Sequence, residues 1–400
     1  MRTKTFLTVA AMTVGLAMTG AMMTSCSKID NPTDNPGEGL PGGQTVDLSM
    51  LMSDYVAQDG DTLRGTLDDN TQPYKISIAE GAKVVLRDAI IHRDQKNHMW
   101  AGITCEGEAT IILVGENSVG GFQSYYPGIQ PGPEGTTLTI KGEGKLTVRS
   151  GWAAGIGSGD DMTCGNICIE GGDIIATGGS NSAGIGCGYS ASACGDITIT
   201  GGTVYATGEG GAGIGSGDGA NGTNVCGNIT ITGGTVTATG GGDSAGIGGG
   251  VFGTCGDITI SGGTVIATGK ELGTGIGCGK GDRRRPSVCG DITIENRNGF
   301  VSVTAIRGHS VAYPIGNSSI NHEYNTCGNI TFNGQSINKN GRIWDYTPKE
   351  DDYLYYDSIN QIEYHLILTI SSSDPDDSEK KNDTWTLTSE AAPDAPHAPE

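Results

Sequence analysis

One four-residue motif returns six times along this chain and strongly limits what the chain can fold into. The motif is Cys-Gly-(Asn/Asp)-Ile, and it begins at Cys164, Cys194, Cys226, Cys255, Cys289 and Cys327. The steps between its copies are 30, 32, 29, 34 and 38 residues. Regular spacing of about 20 to 50 residues is typical of repeat architectures, in which each repeat packs against its neighbours. The chain is therefore expected to form a stack of similar units.

Each motif opens a pair of short segments that alternate apolar and polar residues. The copy starting at Asp196 reads Asp-Ile-Thr-Ile-Thr-Gly-Gly-Thr-Val-Tyr-Ala-Thr, and close copies start at Asn228 and Asp257. Ile197 and Ile199 share one side of an extended chain, and this period of two predicts strands. The Gly-Gly pair between the two segments predicts a corner that needs positive φ or close backbone approach.

A second motif, Ala-Gly-Ile-Gly-x-Gly, marks another corner of the same repeat. It is centred on Ile156, Ile185, Ile214, Ile247 and Ile276 (with threonine replacing alanine in the last copy), and fainter copies surround Ile103, Ile129 and Ile315. These motifs hold much of the glycine, which makes up 69 of 400 residues. A repeat of this length fits one coil of three short strands. We therefore predict an all-β, single-stranded parallel β-helix of about eight coils with capping ends.

The strand segments also resemble a known family. The run Ile-Thr-Ile-(Thr/Ser)-Gly-Gly-Thr-Val-x-Ala-Thr is similar to coils of the pectate-lyase-like β-helix superfamily. It more closely resembles carbohydrate-binding bacterial surface β-helices, whose coils carry Ile-Thr-Gly-Gly-Thr-Val runs. The resemblance covers about residues 75–340 and implies a right-handed solenoid. Because one fold hosts many activities, function has to be argued from individual sites.

The N-terminus predicts export. Arg2 and Lys4 precede an apolar stretch that runs from Phe6 to Met23, which is typical of a signal peptide. The sequence that ends at Cys26 resembles a bacterial lipoprotein signal with a lipidated cysteine, and ordinary secretory cleavage is the alternative. We expect a protein anchored by lipid to the bacterial outer membrane or cell surface, with no other membrane contact.

The remaining chain divides by composition. The predicted regions are a signal peptide (1–25), a flexible tether (26–43), a β-helix domain with N- and C-terminal caps (44–370) and an acidic, disordered tail (371–400). The formal charge is −21, from 24 basic and 45 acidic residues. Such acidity repels phosphate, so the sequence argues against a nucleic-acid partner.

The cysteines and the Asn/Asp residues of the motif should form two ladders. A straight stack of thiols lacks the tetrahedral convergence of a zinc site, so the sequence favours buried free thiols and no metal. Two pairs, Cys187 with Cys194 and Cys278 with Cys289, each bracket one loop and are candidates for disulfides. The Asn/Asp ladder could bind Ca²⁺ weakly, but such residues more often satisfy backbone donors at turns. No cofactor is therefore expected.

Large aromatic residues precede the corner isoleucine in three consecutive coils. Trp100 lies three residues before Ile103, Tyr126 three before Ile129, and Trp152 four before Ile156. Aromatic faces suit sugar rings. The sequence therefore predicts a carbohydrate-binding platform of Trp100, Tyr126 and Trp152, helped by Tyr125, with packing at the N-terminal end as the alternative.

A short basic loop is a second candidate for recognition. Arg283, Arg284 and Arg285 stand together on an otherwise acidic chain, and guanidinium groups bind uronate or sulfate through paired hydrogen bonds. A solvated loop without a ligand is the alternative.

The sequence favours a non-catalytic role, and no catalytic residue is assigned. A lyase needs a base beside carboxylates or a cation, and a hydrolase needs two suitably spaced carboxyl groups. The expected partner is a polysaccharide or a host-surface glycan. Two alternatives stay open: a polysaccharide lyase or glycoside hydrolase acting on acidic glycans, and a structural adhesin rod with a protein partner.

Overall fold

The computed structural model is an all-β right-handed parallel solenoid, which confirms the predicted fold class. The residues described are 40, 42–67, 74–91, 99–121, 125–190, 192–220, 222–296, 300–309, 312–318, 324–336, 338–339, 342–343, 353–357, 362–371 and 384–391. Each central coil passes through four short strands in a fixed order, and each strand pairs in parallel with its equivalent in the next coil. We number the resulting stacks sheets 1 to 4 in the order in which a coil visits them.

Sheets 1 and 2 form the two sides on which the corner isoleucines and the motif cysteines lie. Sheet 1 has ten strands: Tyr55–Ala57, Ile76–Ile78, Ile103–Cys105, Ile129–Gln130, Ile156–Gly157, Ile185–Gly186, Ile214–Gly215, Ile247–Gly248, Ile276–Gly277 and Ile315–Gly316. Sheet 2 has six strands: Thr163–Cys164, Ala193–Cys194, Asn224–Cys226, Gly253–Cys255, Val288–Cys289 and Thr326–Cys327.

Sheets 3 and 4 carry the two alternating segments of each repeat. Sheet 3 contains Thr45–Asp47, the first parts of Thr62–Leu67 and Ala82–Ile91, then Ala109–Val114, Thr137–Gly142, Asn166–Ile169, Ile197–Ile199, Ile229–Ile231, Ile258–Ile260, Ile292–Ile294 and Ile330–Phe332. Sheet 4 contains the second parts of Thr62–Leu67 and Ala82–Ile91, then Glu116–Gly120, Lys145–Arg149, Asp173–Thr177, Thr203–Thr207, Thr235–Thr239, Gly263–Thr268 and Val301–Ile306.

Alternation places the apolar side chains inside the coil. In the strand Ile197–Ile199 the two isoleucines are fully buried, whereas Thr198 between them is half-buried. The same residues pair from coil to coil, as in Ile197 opposite Ile229. Stacking like on like therefore builds one continuous core of isoleucine, valine and alanine along the solenoid.

The Gly-Ile-Gly corner needs its second glycine for two reasons. Gly215 has φ of 137°, a backbone conformation that side chains with a Cβ rarely adopt. A Cβ at this position would also overlap the carbonyl oxygen of Gly248 in the next coil. Gly186 and Gly277 also have positive φ, and a Cβ at either would overlap a carbonyl oxygen of the next coil. This corner therefore fixes both the backbone turn and the spacing between coils.

The Asn/Asp ladder joins neighbouring coils by hydrogen bonds. The Oδ1 atom of Asp257 accepts the backbone N–H of Asp291 at 2.8 Å, and Asp257 itself donates its N–H to Oδ1 of Asn228 at 2.9 Å. A Cβ at Gly290, just before Asp291, would collide with the same Oδ1 atom. The Cys-Gly-(Asn/Asp) motif is thus explained by a side chain that reaches the next backbone and a glycine that makes room for it.

The stack begins earlier than the corner isoleucines indicate. The eight predicted isoleucines all lie in sheet 1, and the strands Tyr55–Ala57 and Ile76–Ile78 extend that sheet by two at its N-terminal end. A 3₁₀ turn, Leu48–Met50, precedes them and buries Leu48 against the core. Met52, which the sequence places in the same cap, is 87% exposed.

The C-terminal end differs from the predicted disordered tail. Thr384–Ala391 forms a strand that pairs antiparallel with Val301–Ile306, the last parallel strand of sheet 4. Trp385 and Leu387 are buried in the core, because they alternate with threonines along this strand. Ile362–Ser371 and Tyr353–Asp357 continue the antiparallel sheet, which covers the edge of sheet 4. The short strands Gln335–Ser336, Asn338–Lys339 and Arg342–Ile343 form further antiparallel pairs after the last coil.

Several sequence predictions lie outside the described residues. They include the signal peptide, the lipidation site Cys26 and almost all of the tether. Within the part of the chain that the structure describes, there is no helix with the length and apolar character to cross a membrane.

Candidate functional site

Two of the predicted aromatic residues form an exposed pair. The rings of Tyr125 and Trp152 lie edge to face, with 5.9 Å between their centroids and 62° between their planes. Tyr125 is 44% exposed and Trp152 is 43% exposed. Edge-to-face packing stabilises two rings while it leaves ring surface open to solvent.

Hydrogen bonds from neighbouring coils hold the backbone of this pair. The Ser182 hydroxyl donates to the carbonyl oxygen of Trp152 at 2.9 Å. The backbone N–H of Asp160 donates to the carbonyl oxygen of Tyr125 at 3.0 Å. Both aromatic residues are therefore anchored to adjacent coils of a rigid stack, which limits the entropy that they lose on binding.

Two acidic residues adjoin the aromatic pair through the backbone of Asp160, whose N–H donates to Tyr125. Asp160, whose backbone contacts Tyr125, is half-buried, and Asp161 is exposed. Burial raises the pKa of Asp160, and the charge of Asp161 adds to the rise. Its Oδ1 atom is buried and accepts no hydrogen bond from the described residues.

The other two predicted aromatics do not share this exposed surface. Trp100 is half-buried and packs against the apolar core, so it follows the alternative of packing at the N-terminal end. Tyr126 is also half-buried, and the Ser150 hydroxyl donates to its carbonyl oxygen at 2.8 Å. Of the four predicted aromatics, Tyr125 and Trp152 are thus the two that are exposed and in ring contact with each other.

The basic loop is partly occupied by contacts within the protein. Arg285 donates to the carbonyl oxygen of Ala220 at 2.7 Å, forms an ion pair with Asp282 at 3.2 Å and stacks 3.8 Å above the Phe252 ring. Arg283 and Arg284 are exposed. Arg285 thus fastens the loop to earlier coils, and two of the three predicted arginines keep open guanidinium groups.

The loop and the aromatic pair lie at different heights on the solenoid. Four steps of sheet 1 separate Ile156, which follows Trp152, from Ile276, which precedes the basic loop. At about 4.8 Å per strand this is about 19 Å. A single monosaccharide cannot contact both regions, so they are separate candidate sites.

A half-buried carboxyl group, that of Asp218, lies near the loop. Burial raises the pKa of Asp218 to about 6, against opposing effects from the N–H of Ala220 and the charge of Arg285. The Ala220 N–H donates to Asp218 Oδ1 at 2.8 Å. Sequence reasoning missed Asp218, because no motif distinguishes it from the other acidic loop residues.

The cysteines follow two patterns. Cys187 and Cys194 form a disulfide with 5.4 Å between their Cα atoms. Cys278 and Cys289, the other candidate pair, are buried free thiols. The six motif cysteines pair in register and are buried.

An open groove at the corner between sheets 3 and 4 also carries charged groups. It has a volume of about 600 Å³ and is lined by Glu116, Glu143, Lys145 and Asp173, together with apolar and glycine residues. Lys145 pairs in register with Glu116 on one side and Asp173 on the other. Three carboxylates against one ammonium group make this groove unsuitable for a strongly anionic polysaccharide.

Sequence reasoning underrated the Asp160–Asp161 pair. Nothing in the sequence placed Asp160 next to Tyr125, which precedes it by 35 residues. Their contact depends on how the loops of two coils stack.

Comparison with known proteins identifies the repeat. A family model described as a beta helix repeat matches five segments: residues 138–160, 167–189, 197–218, 229–251 and 258–280. Searches of curated proteins and of solved structures each returned no match. Each matched segment begins in the strands of sheet 3 and ends just after the corner strand of sheet 1. The chain is therefore a β-helix protein, and five segments between residues 138 and 280 match the beta helix repeat.

Proposed function

We propose that this protein is a non-catalytic carbohydrate-binding β-helix of the bacterial cell surface. The observation that carries the proposal is the exposed, edge-to-face Tyr125–Trp152 pair, to which Asp160 is joined by a backbone hydrogen bond. Aromatic rings offer flat apolar area to the C–H faces of a sugar, and carboxylates accept bonds from its hydroxyls.

The charge of the surface favours a neutral glycan. Asp160 and Asp161 would repel a uronate or a sulfate group placed on the aromatic pair, whereas neutral hydroxyls would gain charge-assisted hydrogen bonds. Arg283 and Arg284, about 19 Å further along the solenoid, offer a second contact for a longer chain with an occasional anionic group.

Lipid anchoring completes the proposal. A lipid on Cys26, followed by the tether of residues 27–43, would hold the solenoid away from the membrane. Export agrees with the Cys187–Cys194 disulfide, because disulfides persist in oxidising compartments. Metabolic labelling with a palmitate analogue tests this part, and the Cys26→Ser variant should lose the label.

A polysaccharide panel tests the binding function. We expect the chain to be retained by at least one neutral polysaccharide without producing new reducing or unsaturated ends. The double variant Tyr125→Ala/Trp152→Ala should lose this retention because it removes both ring surfaces. New chain ends would instead indicate a lyase or a hydrolase, and binding to no glycan would favour a structural rod with a protein partner.

A further inference from the structure

The residue that directly follows the corner strand of sheet 1 joins neighbouring coils of the central solenoid. Ser158 and Ser216 occupy this position in the two coils on either side of the coil that contains Cys187. The Ser158 hydroxyl oxygen accepts the N–H of Gly188 at 3.0 Å, and the Ser216 hydroxyl oxygen accepts the N–H of Gly250 at 2.8 Å. Each glycine belongs to the following coil. A side chain at this position therefore reaches forward along the stack.

Cys187 takes this position in the coil between the two serines, and it also reaches forward. Its Sγ atom lies 3.2 Å from the carbonyl oxygen of Val225, which belongs to the following coil. The N–H of Gly217, the glycine that a serine at position 187 would bind, donates instead to Oδ1 of Asn224 at 2.9 Å. Cys187 thus keeps the forward placement of the serines without their hydrogen bond to the next coil.

Three sulfur atoms meet in front of Cys187, and two of them are bonded to each other. Cys187 forms its disulfide with Cys194 of its own coil. Cys226, which follows Val225 in the next coil, is a free thiol. The Sγ atoms of Cys187, Cys194 and Cys226 all lie within 4.8 Å of one another, and the three side chains are buried. The disulfide therefore has a free thiol as its neighbour, and burial separates both from reagents in solvent.

The backbone favours Cys187 over Cys194 as the partner for this free thiol. Cys194 and Cys226 pair in register as neighbours in sheet 2. In-register side chains of parallel strands point in the same direction and lie about 4.8 Å apart, whereas the Cβ atoms of a disulfide are about 3.8 Å apart. Cys187 stands outside the ladder, after the corner strand of sheet 1, and its sulfur is near both ladder cysteines. Cys187 is therefore the cysteine that the other two can share.

We propose that Cys187 exchanges its disulfide partner between Cys194 and Cys226, which moves the cross-link from within one coil to between two coils. The Cys226 thiolate attacks the Sγ atom of Cys187, a new S–S bond forms, and the bond between Cys187 and Cys194 breaks. Cys194 leaves as a thiolate and takes up the proton that Cys226 gave up. The reaction rearranges bonds within one chain, so it needs no external oxidant or reductant.

The exchange changes which part of the stack the cross-link holds. Cys187 and Cys194 are seven residues apart and close a loop within one coil. Cys187 and Cys226 are 39 residues apart, so their disulfide would close a loop that contains a whole coil. The position that the serines use for a hydrogen bond between coils would then carry a covalent bond between coils.

Disulfide mapping of the folded, unreduced full chain tests the proposal without any substitution. The chain is held at about pH 8, where thiols begin to ionise, and its free thiols are then blocked with a maleimide in acidic denaturant. Chymotrypsin cleavage after Tyr189 and Tyr205 separates Cys187, Cys194 and Cys226 onto three peptides. We expect two cross-linked species, Cys187–Cys194 and Cys187–Cys226. Finding Cys187–Cys194 as the sole link among these three cysteines would overturn the proposal.

Serine variants refolded in a glutathione redox buffer test whether Cys187 is the shared partner. Cys194→Ser should contain Cys187–Cys226, and Cys226→Ser should contain Cys187–Cys194. Cys187→Ser, which restores the residue type of Ser158 and Ser216, should leave the two ladder cysteines unlinked. A link between Cys194 and Cys226 in that variant, or two free thiols at positions 187 and 226 in Cys194→Ser, would contradict the proposal.

Cys255→Ser is the matched control. Cys255 is the next residue of the same buried ladder and lies outside the group of three sulfurs. Its replacement should leave the ratio of the two cross-linked species as it is in the wild-type chain. Loss of the Cys187–Cys226 species in this variant would show that exchange does not depend on Cys187, Cys194 and Cys226 alone, and the proposal would fail.

Discussion

The central coils and the N-terminal coils share one backbone plan but present different surfaces. Between Ile156 and Gly277 the repeats are nearly identical, and most outward positions of the strands are threonine. Among the described residues before Ile156 no strand belongs to sheet 2, and this region carries the Tyr125–Trp152 pair and most of the charged groove. The coils with the most regular sequence therefore have uniform surfaces, whereas the aromatic and charged groups that could bind a ligand lie mainly in the less regular coils.

The physical reason lies in the repeated contacts. In the central coils, a residue pairs with its equivalent above and below, so any bulky or charged group meets a neighbour about 4.8 Å away. Small residues fit within this spacing in every coil. A ligand-binding group is easier to place where the sequence departs from the repeat, as it does at Tyr125 and Trp152.

The largest expected effect comes from adding one methyl group to a central corner. Gly215→Ala combines a strained φ with overlap of the Gly248 carbonyl, and we expect it to destabilise the protein by about 3 kcal/mol or more. Gly135→Ala in an N-terminal coil is the matched control, because it has φ of 86° but open space around a Cβ. It should cost about 1 kcal/mol. Urea unfolding measures the free energy of unfolding of both variants. If both variants lose the same amount, close contact between stacked coils is not the reason for the effect of Gly215→Ala.

A smaller effect is expected from the hydrogen bonds between central coils. Asp257→Ala removes the acceptor for the N–H of Asp291 and should lower the free energy of unfolding by about 1 kcal/mol. Asp257→Asn keeps an oxygen at the same place and should change little. If urea unfolding shows that Asp257→Asn is destabilised as much as Asp257→Ala, the negative charge of Asp257 stabilises the protein, and not the oxygen that accepts the hydrogen bond.

The sequence predicted the regular region better than the irregular one. Period-two alternation around Ile197 and the repeated Gly-Gly corner were enough to establish strands, coils and register. The two additional N-terminal strands of sheet 1 were missed because they lack the corner motif. The strand that contains Trp385 was missed because an acidic composition outweighed a short alternating segment.

The candidate site was only partly predictable for the same reason. Trp152 and Tyr125 were identified by their chemistry, but Trp100 turned inward against the core. Asp160 came to lie beside Tyr125 through the stacking of two loops, which no local pattern encodes. Contacts between loops depend on loop length and tertiary packing, whereas the strands follow a rule that repeats.

The loop around Asp218 offers a pH-dependent prediction. Its pKa is raised to about 6 by burial, so the folded state favours the protonated form. This contribution to stability is complete below about pH 4, near the ordinary pKa, and is lost as the pH rises through 6.

Asp218→Asn should therefore raise the melting temperature at pH 8 and leave it nearly unchanged at pH 4. Because the side chain is half-buried, solvent screening reduces the expected gain to about 1 kcal/mol. Asparagine keeps the acceptor for the Ala220 N–H. A melting temperature that falls at pH 8 would show that the carboxylate stabilises the loop through Arg285.

Glycan affinity of two matched aromatic variants tests the central claim most directly. Trp152 and Tyr205 are nearly equally exposed, but Trp152 belongs to the pair of the irregular coils and Tyr205 to a strand of the regular ones. Isothermal titration with a polysaccharide that binds the wild-type chain should show at least a tenfold weaker Kd for Trp152→Ala, which is about 1.4 kcal/mol, and an unchanged Kd for Tyr205→Ala. An unchanged Kd for Trp152→Ala, or an equal loss in both variants, would contradict the account.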